Sequence, residues 1–572
     1  MSKIKPERAY AAEHFDQFEG IGGTPLSKST KASDIFNFRI CSDGSLKKRE
    51  GYRDLRVLPD TARGYWIGTI DLESYTFFVC STKIYRLEVF SGELIEIGSL
   101  VSKYGNVEFH QFNDDLYLLE SYGMQVYDPS TDSFVAVDPY IPLYGKNWDP
   151  SIGGALNEPF NLLTNHIRVH YTNTSGSAVF KLPFYAKAID KVIVNGEATT
   201  NYAFTSGNNS IRLSDSVGGV NVEIGMEVIL GDHSNGIHSA KKGIVYTGKH
   251  FPTFCLYNGD KPYHIYSSTH VSGSNLTDCR KLYPNAHPLY FNDENVMLVG
   301  SNQNPVKAIC QYGDMLLAYG SHSTWKIECP EKADDIPLIY PLLDGFGTTS
   351  PDASIVCDGT PIVVNAKGIH RLVFSSSEKN PPEIVKISDD ISNLLTTHML
   401  SSCVAREDKV NGELWIHSRN DEKKRVFVYN LARKAWYVFG DFSINFFYSF
   451  ENVQGFLSDN ILAMFDESAI TDAGREITAF YQSGYFSFSH PEAKKRSLRM
   501  TLCAGTNGNT PTITLESERA ERTLSLIGQK SDAPEVFDSR ITMGRFRFMR
   551  YRISVTGRQD CRFYSLSFYA NL

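Results

Sequence analysis

The 572-residue sequence lacks the motifs by which most enzymes are recognised. It contains no phosphate-binding P-loop, no HExxH zinc motif, no GxSxG nucleophile elbow and no calcium-binding EF-hand loop. Its two Gly-x-Gly segments, Gly20–Gly22 and Gly345–Gly347, continue to Pro25 and Ser350, where a dinucleotide-binding loop requires a third glycine. We therefore expect no enzyme activity, no cofactor and no metal site.

The cysteine spacing does not indicate a disulfide framework, and the hydrophobic segments are too short for a membrane span. The ten cysteines form no Cys-x-x-Cys pair, and most lie in apolar segments such as Phe77–Cys80. We expect buried free thiols made in a reducing compartment. No segment approaches the roughly 18 consecutive apolar residues of a transmembrane helix. Residues 1–6 contain no apolar signal core, so no export signal and no membrane-spanning segment are expected.

An excess of positive charge is missing as well. The 57 Lys and Arg are outnumbered by 65 Asp and Glu, which gives a formal net charge of −8. Because nucleic-acid affinity depends on basic side chains that displace counterions, general binding to nucleic acid is disfavoured. A channel through which DNA slides without being held is compatible with this charge.

Aromatic residues are abundant, and they recur in short segments separated by polar turns. The clearest cases are Val126–Phe134 and Val428–Trp436, in which two aromatic residues stand seven positions apart around an Asx residue. Such segments predict β-hairpins. Because a lone hairpin buries too little apolar surface to be stable, a series of hairpins must stack. Radial stacking predicts an all-β fold built on a β-propeller of six or seven blades.

Changes in the hairpin pattern divide the chain into five regions. The Pro- and Gly-rich segment Pro139–Pro159 interrupts the series, and strong alternation begins again near Arg475. The regions are an N-terminal leader and assembly segment, a first propeller segment, an inserted β-sandwich, a second propeller segment and a C-terminal β-sandwich, at residues 1–60, 61–140, 160–232, 240–470 and 475–572.

Two local structures are predicted more specifically. Asp43-Gly44 fits a type I′ turn in a hairpin that begins with Phe36–Ile40. Ser388 is a candidate N-cap for an α-helix with Asp389 and Asp390 in its first turn. One face of this helix would be apolar, formed by Ile391, Leu394, Leu395 and Met399.

Two basic clusters stand out in this acidic chain, one in the leader and one near the C-terminus. In the second, alternation places Arg545 and Arg547 on the strand face opposite Phe546 and Phe548. A solvated strand face is the ordinary explanation, and a subunit interface or a ring that contacts the DNA backbone is the functional one. The candidate assembly or channel contacts are Asn37, Arg39, Asp43, Gly44, Lys47, Lys48, Arg49, Lys494, Lys495, Arg496, Arg545, Arg547, Arg550 and Arg552.

The leader segment Phe36–Tyr52 resembles the opening of bacteriophage tail nozzle and tail-hub proteins of the tail tubular protein B type. In those proteins an Asn-bearing strand is followed by an Asp/Glu-Gly turn, a Leu, a Lys/Arg-Arg pair and a Gly. Three later stretches are similar to the same group, namely Asn161–Thr164, Tyr312–Trp325 and Gly345–Ser350.

The resemblance implies a structural subunit of a double-stranded DNA phage tail. Such proteins are propeller-bearing subunits of a sixfold ring that continues the DNA channel below the portal and adaptor. The implied partners are further copies of the chain, in a ring expected to be a homohexamer, the portal–adaptor proteins above it, tail fibre or needle proteins, and double-stranded DNA in transit. The implied location is the virion tail, after synthesis in the host bacterial cytoplasm. The modest length leaves nozzle, neck and hub positions open.

Two other functions are compatible with a propeller. A lectin or receptor-binding protein would use aromatic-lined loops, for instance around Trp325, Trp415 or Trp436. A propeller glycoside hydrolase would need two carboxylates that face each other across a pocket. No carboxylate pair in the sequence is marked for that role, so the structural function is the preferred interpretation.

Overall fold

The computed structural model is built almost entirely from β-strands. Within the residues that it describes, 47 strands accompany one α-helix and five short 3₁₀ helices. Six four-stranded sheets have the arrangement of a β-propeller, which confirms the predicted fold class. The chain divides into a first unit, residues 1–62 with 348–572, and a second unit, residues 63–347. The described residues are 10–22, 31–88, 92–120, 123–172, 176–217, 221–231, 233–247, 251–328, 337–375, 381–450, 453–466, 468–528, 533–557 and 560–572.

The N-terminal strands of the first unit are short and separated by turns. A non-glycine residue with positive φ, Asn37 (φ 56°), separates the third strand from the fourth. Because this backbone conformation turns the chain sharply, the two strands enter different sheets. The strands are β1 Tyr10–Phe15, β2 Glu19–Ile21, β3 Lys31–Phe36, β4 Phe38–Ile40, β5 Leu46–Lys48 and β6 Gly51–Val57.

The second unit opens with two four-stranded meanders. Tyr127 pairs with Phe134 across one hairpin, and their ring centroids lie 5.4 Å apart. Asp132 supplies the positive φ of the turn, as an Asx residue does readily. The strands are β7 Ala62–Ile70, β8 Glu73–Cys80, β9 Lys83–Leu87, β10 Leu94–Ser99, β11 Glu108–Phe112, β12 Asp115–Glu120, β13 Gly123–Asp128 and β14 Ser133–Ala136.

The inserted region is one bent seven-stranded sheet around its own core. Its longest strand, Ser177–Val194, is 18 residues long and takes part in two different pairings. The first half of that strand pairs with β20 and the second half with β21, and Phe180 and Val192 from the two halves share one core. The sheet begins at Leu143, earlier than predicted. Its strands are β15 Leu143–Trp148, β16 His166–Tyr171, β17 Ser177–Val194, β18 Glu197–Thr199, β19 Tyr202–Ala203, β20 Asn208–Val217 and β21 Val222–Val228.

Two further four-stranded sheets follow the insert, together with an α-helix that the sequence analysis missed. Ser272 begins this helix because its Oγ accepts the Asn275 N–H at 3.2 Å. The helix buries only Cys279 and Leu282, so its periodicity in the sequence is weak. The elements are β22 Lys242–Thr247, β23 Pro252–Tyr257, β24 His264–Ser267, α1 Gly273–Leu282, β25 Val296–Leu298, β26 Ala308–Tyr312, β27 Met315–Tyr319, β28 Ser323–Glu328 and β29 Leu338–Asp344, with 3₁₀ helices Ile237–Ser239 and Asp293–Asn295.

The first unit resumes with three more meanders. In the second of these, Tyr429 pairs with Trp436, with ring centroids 4.9 Å apart, as the spacing of the aromatic residues predicts. The strands are β30 Ile355–Cys357, β31 Thr360–Asn365, β32 Gly368–Val373, β33 Glu383–Lys386, β34 Cys403–Asp408, β35 Glu413–Ser418, β36 Val426–Asn430, β37 Ala435–Phe439, β38 Phe446–Phe450, β39 Val453–Ser458 and β40 Ile461–Asp466.

The α-helix predicted after Ser388 is wrong. The 3₁₀ helices Asp389–Leu394 and Met399–Ser401 replace it, and a third 3₁₀ helix covers Pro351–Ala353. The Ser388 side chain does not cap a helix, because its Oγ accepts the Ile369 N–H at 3.0 Å. Asp390 pairs with Lys31 at 3.0 Å instead of serving a helix dipole.

The C-terminal region forms a sandwich of two sheets with a common core. Leu502 of one sheet and Ile553 of the other belong to the same buried cluster. The sheet orders are β4-β5-β47-β42-β45, with β1 on β47, and β37-β3-β41-β46-β43-β44. The new strands are β41 Ile477–Ser483, β42 Lys495–Gly505, β43 Thr512–Ser517, β44 Glu521–Ser525, β45 Glu535–Phe546, β46 Met549–Gly557 and β47 Arg562–Asn571.

The predicted N-terminal leader does not stand apart as a segment of its own. Strand β1 pairs with β47, placing Tyr10 opposite Asn571, and β3 pairs with β41. Strand β6 completes the sheet of β38–β40, placing Gly51 opposite Asp466. The leader therefore supplies strands to the sandwich and to a propeller sheet. Residues 1–9 and 23–30, including the end of the Gly20–Pro25 segment, lie outside the described residues.

Candidate functional site

Residues of the leader motif meet carboxylates from distant segments in a largely buried cluster, here called the joint: Asn37, Arg39, Arg49, Glu50, Glu413 and Asp472. Asn37 is fully buried and satisfied on both ends of its amide. Its Nδ2 donates to the Thr478 carbonyl at 2.9 Å, and its Oδ1 accepts from Arg49 Nε at 2.8 Å and from the Gly440 N–H at 3.0 Å. Asparagine is suited to this position because it tolerates positive φ and still forms hydrogen bonds.

Arg49 forms the central ion pair of the joint. Its Nη1 and Nη2 atoms bind the two Asp472 carboxylate oxygens at 2.8 and 2.5 Å. The two side chains are only 1% and 8% exposed. Arg49 also donates to the Gly440 carbonyl at 3.1 Å and lies 5.0 Å from the ring centroid of Phe442. Arg49 therefore connects the leader to two distant segments through a planar, bidentate contact.

Arg39 occupies a second pair of carboxylates in the joint. It binds Glu50 with two hydrogen bonds of 2.8 and 2.9 Å and Glu413 with an ion pair of 2.8 Å. Burial lowers the pKa of Arg39, but the charges of Glu413 and Glu50 raise it well above its usual value, so the guanidinium stays charged. Burial raises the pKa of Glu413 despite Arg39, and this carboxyl also accepts hydrogen bonds from Tyr437 and Trp415.

Glu50 makes the stability of the joint dependent on pH. Burial raises the pKa of Glu50, but Arg39 and the backbone N–H lower it more, so the net pKa falls below 4.5. A lowered folded-state pKa stabilises the protein above the unfolded value, and this contribution disappears as pH falls through the folded value. We expect the stability difference between the wild-type chain and Glu50→Gln to shrink between about pH 7 and about pH 3 in urea titrations. Glu422→Gln, at an exposed position, should show no such convergence, and parallel curves for Glu50→Gln would contradict the assignment.

The Asp43-Gly44 turn differs from the predicted type. Gly44 has a φ of 85°, whereas Asp43 is not among the residues with positive φ, as a type I′ turn would require. The Gly44 N–H instead bonds to the Cys41 carbonyl at 2.9 Å. Asp43 accepts the Ser45 N–H at 3.0 Å and pairs with Arg562 at 2.6 Å. Slight burial raises the pKa of Asp43, but the bonds from Ser45 and Arg562 leave it below its usual range.

Adjacent lysines of the leader have different environments. Lys47 is 45% exposed and lies 3.7 Å from Asp560. Lys48 is buried, its Nζ donates to the Gly557 carbonyl at 2.8 Å, and burial lowers its pKa. Of the basic leader candidates, Lys47 is therefore the one with a largely accessible side chain, while Arg39, Lys48 and Arg49 hold the fold together.

Four candidates of the second group, Lys494, Arg496, Arg545 and Arg547, form an exposed cationic surface together with Arg519 at one end of the sandwich, here called the basic tip. All five side chains are exposed, and none forms an ion pair with another described residue. Two backbone contacts bring their segments together. The Arg547 N–H donates to Glu518 at 2.9 Å, and the Arg547 carbonyl accepts from Lys495 Nζ at 3.0 Å.

The remaining candidates have structural partners. Lys495 is fully buried beneath the basic tip, and burial lowers its pKa. Arg550 binds Glu516 at 2.6 Å, and the guanidinium of Arg552 lies 3.8 Å from the ring centroid of Phe480. These contacts support the sandwich, so the three side chains are already engaged within the chain.

Sequence reasoning missed the acidic half of the joint. Asp472 and Glu413 lie more than 370 residues from Arg49 and Arg39, as the separations of 423 and 374 show. Arg519 of the basic tip was also missed, because it belongs to a separate turn. The split between buried and exposed lysines had a local signal, since alternation along β5 places Lys47 outside and Lys48 inside.

The described residues contain neither a cluster suited to a metal ion nor a helix suited to span a membrane. No group of three or more His, Cys, Asp or Glu side chains there is arranged to hold a metal ion. Among the same residues, no helix has the length and apolar character needed to cross a bilayer. The nine cysteines that the structure describes are thiols outside any disulfide, and seven of them are buried.

Comparisons with known proteins leave the chain without a family assignment. No protein-family model and no curated protein matches the sequence. A solved structure titled "AfRom2 CNH domain" is similar over 73% of this chain and 99% of that chain, with 8% sequence identity and a TM-score of 0.34.

Proposed function

We propose that this chain is a structural subunit of a double-stranded DNA phage tail, in a nozzle, hub or neck ring that continues the DNA channel and anchors other tail proteins. The observation that carries the proposal is the position of the residues that resemble tail nozzle proteins. Asn37, Arg39 and Arg49 of that segment all lie in the joint. Their contacts within the joint support a structural role for this residue pattern.

The paired charges of the joint support a passive building role. The chain reverses at Asn37, and the leader strands on either side of it enter both sheets of the C-terminal sandwich and one propeller sheet. Paired, hydrogen-bonded charges at such a junction fix its geometry, since each partner is costly to leave unpaired in the interior. A subunit that holds neighbouring tail proteins at fixed positions needs a connection of this kind between its own parts.

The basic tip is the surface that we assign to contact with a neighbouring tail protein. Its five cations, which form no ion pair among the described residues, contrast with a formal net charge of −8 for the chain. Arginine forks bind carboxylates in two places, so an acidic surface on a neighbouring subunit is the matching partner. Head-to-tail contacts of this type close into rings when the rotation between subunits allows it.

Averaged particle images of the purified 64.2 kDa chain test the proposal, together with gold-labelled antibodies on virions that carry the chain. We expect a closed ring with cyclic symmetry and antibody label on the tail axis. Label on the fibre tips alone would favour receptor binding, and virions without label would refute the structural role. Hydrolysis of a polysaccharide by the pure chain would favour the glycosidase alternative.

Charge-reversal variants test whether the basic tip, and not another part of the surface, forms the contact between subunits. We expect Arg545→Glu combined with Arg547→Glu to abolish ring formation without lowering the melting temperature, because both side chains are exposed. The control combines Arg540→Glu, on the same strand, with Lys187→Glu in the second unit, and should form rings normally. Rings of normal size and yield from the Arg545/Arg547 variant would exclude this tip as the contact.

A further inference from the structure

A cleft of about 700 Å³ opens on the inserted sheet of the second unit. One wall is the outer face of the sheet, formed by β15–β18 and β21, and the other wall is helix α1. Its volume is within the range of about 300–1,000 Å³ that ligand sites occupy. The side chains that carry the argument below are Lys146, His170, Lys191, Glu223, Asp278 and Lys281.

Strand alternation explains why the cleft is polar. Val169 and Ile224 point into the core of the insert, so their neighbours His170 and Glu223 point to the opposite face. Such a face is usually exposed to solvent. Here helix α1 lies beside it, and the sheet and the helix together form a cleft.

A buried arginine holds the two walls together. Arg168 Nη1 binds Glu223 of the sheet at 2.9 Å and Asp278 of α1 at 3.0 Å. Its Nε donates to the Ile141 carbonyl at 3.0 Å, and its side chain is 1% exposed. Asp278 also accepts from Lys281 Nζ at 2.9 Å. Both carboxylates of the cleft are therefore already neutralised to some extent, and their remaining lone pairs are left as hydrogen-bond acceptors.

The cleft carries more positive than negative charge. Lys191 Nζ donates to the carbonyl of Lys281 at 2.9 Å, which places one ammonium at the end of α1. Lys146 is exposed on β15 and forms no ion pair with another described residue. Three lysines and two carboxylates line the cleft, and the buried Arg168 adds a fourth positive charge behind the carboxylates, so the cleft favours an anionic ligand.

We propose that this cleft binds an acidic oligosaccharide, with Lys146 and Lys191 on its carboxylates and Glu223 and Asp278 accepting from its hydroxyls. The mixed lining decides between ligand classes. An acidic peptide of similar size presents few hydroxyl donors, so the free lone pairs of Glu223 and Asp278 would find few partners on it. A sugar acid uses both the cations and the acceptors, and the amides of Asn221 and Asn275 complete the set.

Calorimetric titration of the full chain with three trimers tests the assignment. Trigalacturonate carries hydroxyls and carboxylates, maltotriose carries hydroxyls alone, and triglutamate carries carboxylates on a peptide. We expect trigalacturonate to bind at least about tenfold more tightly than either of the others, as charge-assisted hydrogen bonds would require. Its affinity should fall with rising salt, because Lys146 is exposed and screened.

Matched lysine variants locate the site. Lys146→Glu should weaken trigalacturonate binding by about tenfold or more, and the neutral Lys146→Gln should weaken it less. Lys187→Glu lies outside the cleft and should bind as the parent chain does, since its Nζ pairs with Glu227 at 2.8 Å. Equal binding of triglutamate, equal binding of maltotriose, no binding of any trimer, or an equal loss in Lys187→Glu would each overturn the proposal. These outcomes are independent of ring formation, so they leave the proposed tail function untouched.

Discussion

Replacement of Arg49 by methionine should lower the free energy of unfolding of the first unit by about 3–5 kcal/mol, the range for removing one partner of a buried ion pair. The loss is large because Asp472, 8% exposed, would remain buried without the guanidinium that binds both of its oxygens. The Asn37 side chain would also lose the Arg49 donor at the point where the chain turns. Urea unfolding combined with hydrogen exchange of β3–β5 amides measures the effect.

The control for this prediction is Lys47→Met, two residues away on the same segment. Lys47 is 45% exposed and its contact with Asp560 is 3.7 Å long, so its truncation should change stability little. A double variant with Arg49→Met and Asp472→Leu should recover much of the loss, because no charge is then left buried. An Arg49→Met chain as stable as Lys47→Met would show that the joint contributes nothing.

Replacement of Arg168 by methionine should have an effect of similar size in the second unit, about 3–5 kcal/mol by the same reasoning. Glu223 and Asp278 would then face each other without the cation that both now bind. We expect α1 to detach from the inserted sheet, because the buried Arg168 side chain binds one carboxylate on each of them. The measurement is hydrogen exchange of the α1 amides, which should accelerate strongly while β7–β14 stay protected.

Lys187→Met, also in the insert, provides the comparison, because its ion pair with Glu227 is on the surface and the lysine is 65% exposed. That variant should leave α1 exchange unchanged. Adding Glu223→Gln and Asp278→Asn to Arg168→Met should restore some of the protection, since the repulsion is removed. Unchanged α1 exchange in the Arg168→Met chain would mean that apolar contacts alone hold the helix in place.

Local chemistry made the hairpins predictable from sequence. Turn residues such as Asp132 and the pairing of Tyr127 with Phe134 depend on neighbours within ten positions, so the pattern contains them. The sheets that the leader strands join are not determined by residues nearby in the sequence. Its strands pair with β40, β41 and β47, which are more than 400 residues away in the sequence, and no local pattern encodes such partners.

The candidate site was predictable only in part, because its residues also come from segments that are far apart in the sequence. Composition identified the basic residues, but it treated all of them as candidates for a surface. Burial then divided them, since Arg49 and Lys495 are inside the protein whereas Arg545 and Arg547 are outside. The α-helix expected at Ser388 failed because tertiary contacts to Ile369 used the side chain that a helix cap would need.

The pairing of β1 with β47 has a consequence for how the protein is made. Tyr10 is opposite Asn571, and β42 also depends on β47 for one of its edges. While the ribosome is still producing the chain, β1, β3 and β6 must wait for their partners β47, β41 and β40, which are synthesised more than 400 residues later. The first unit of a nascent chain therefore stays open until these partners are made, and its unpaired strand edges need protection from neighbouring chains until synthesis reaches residues 562–571.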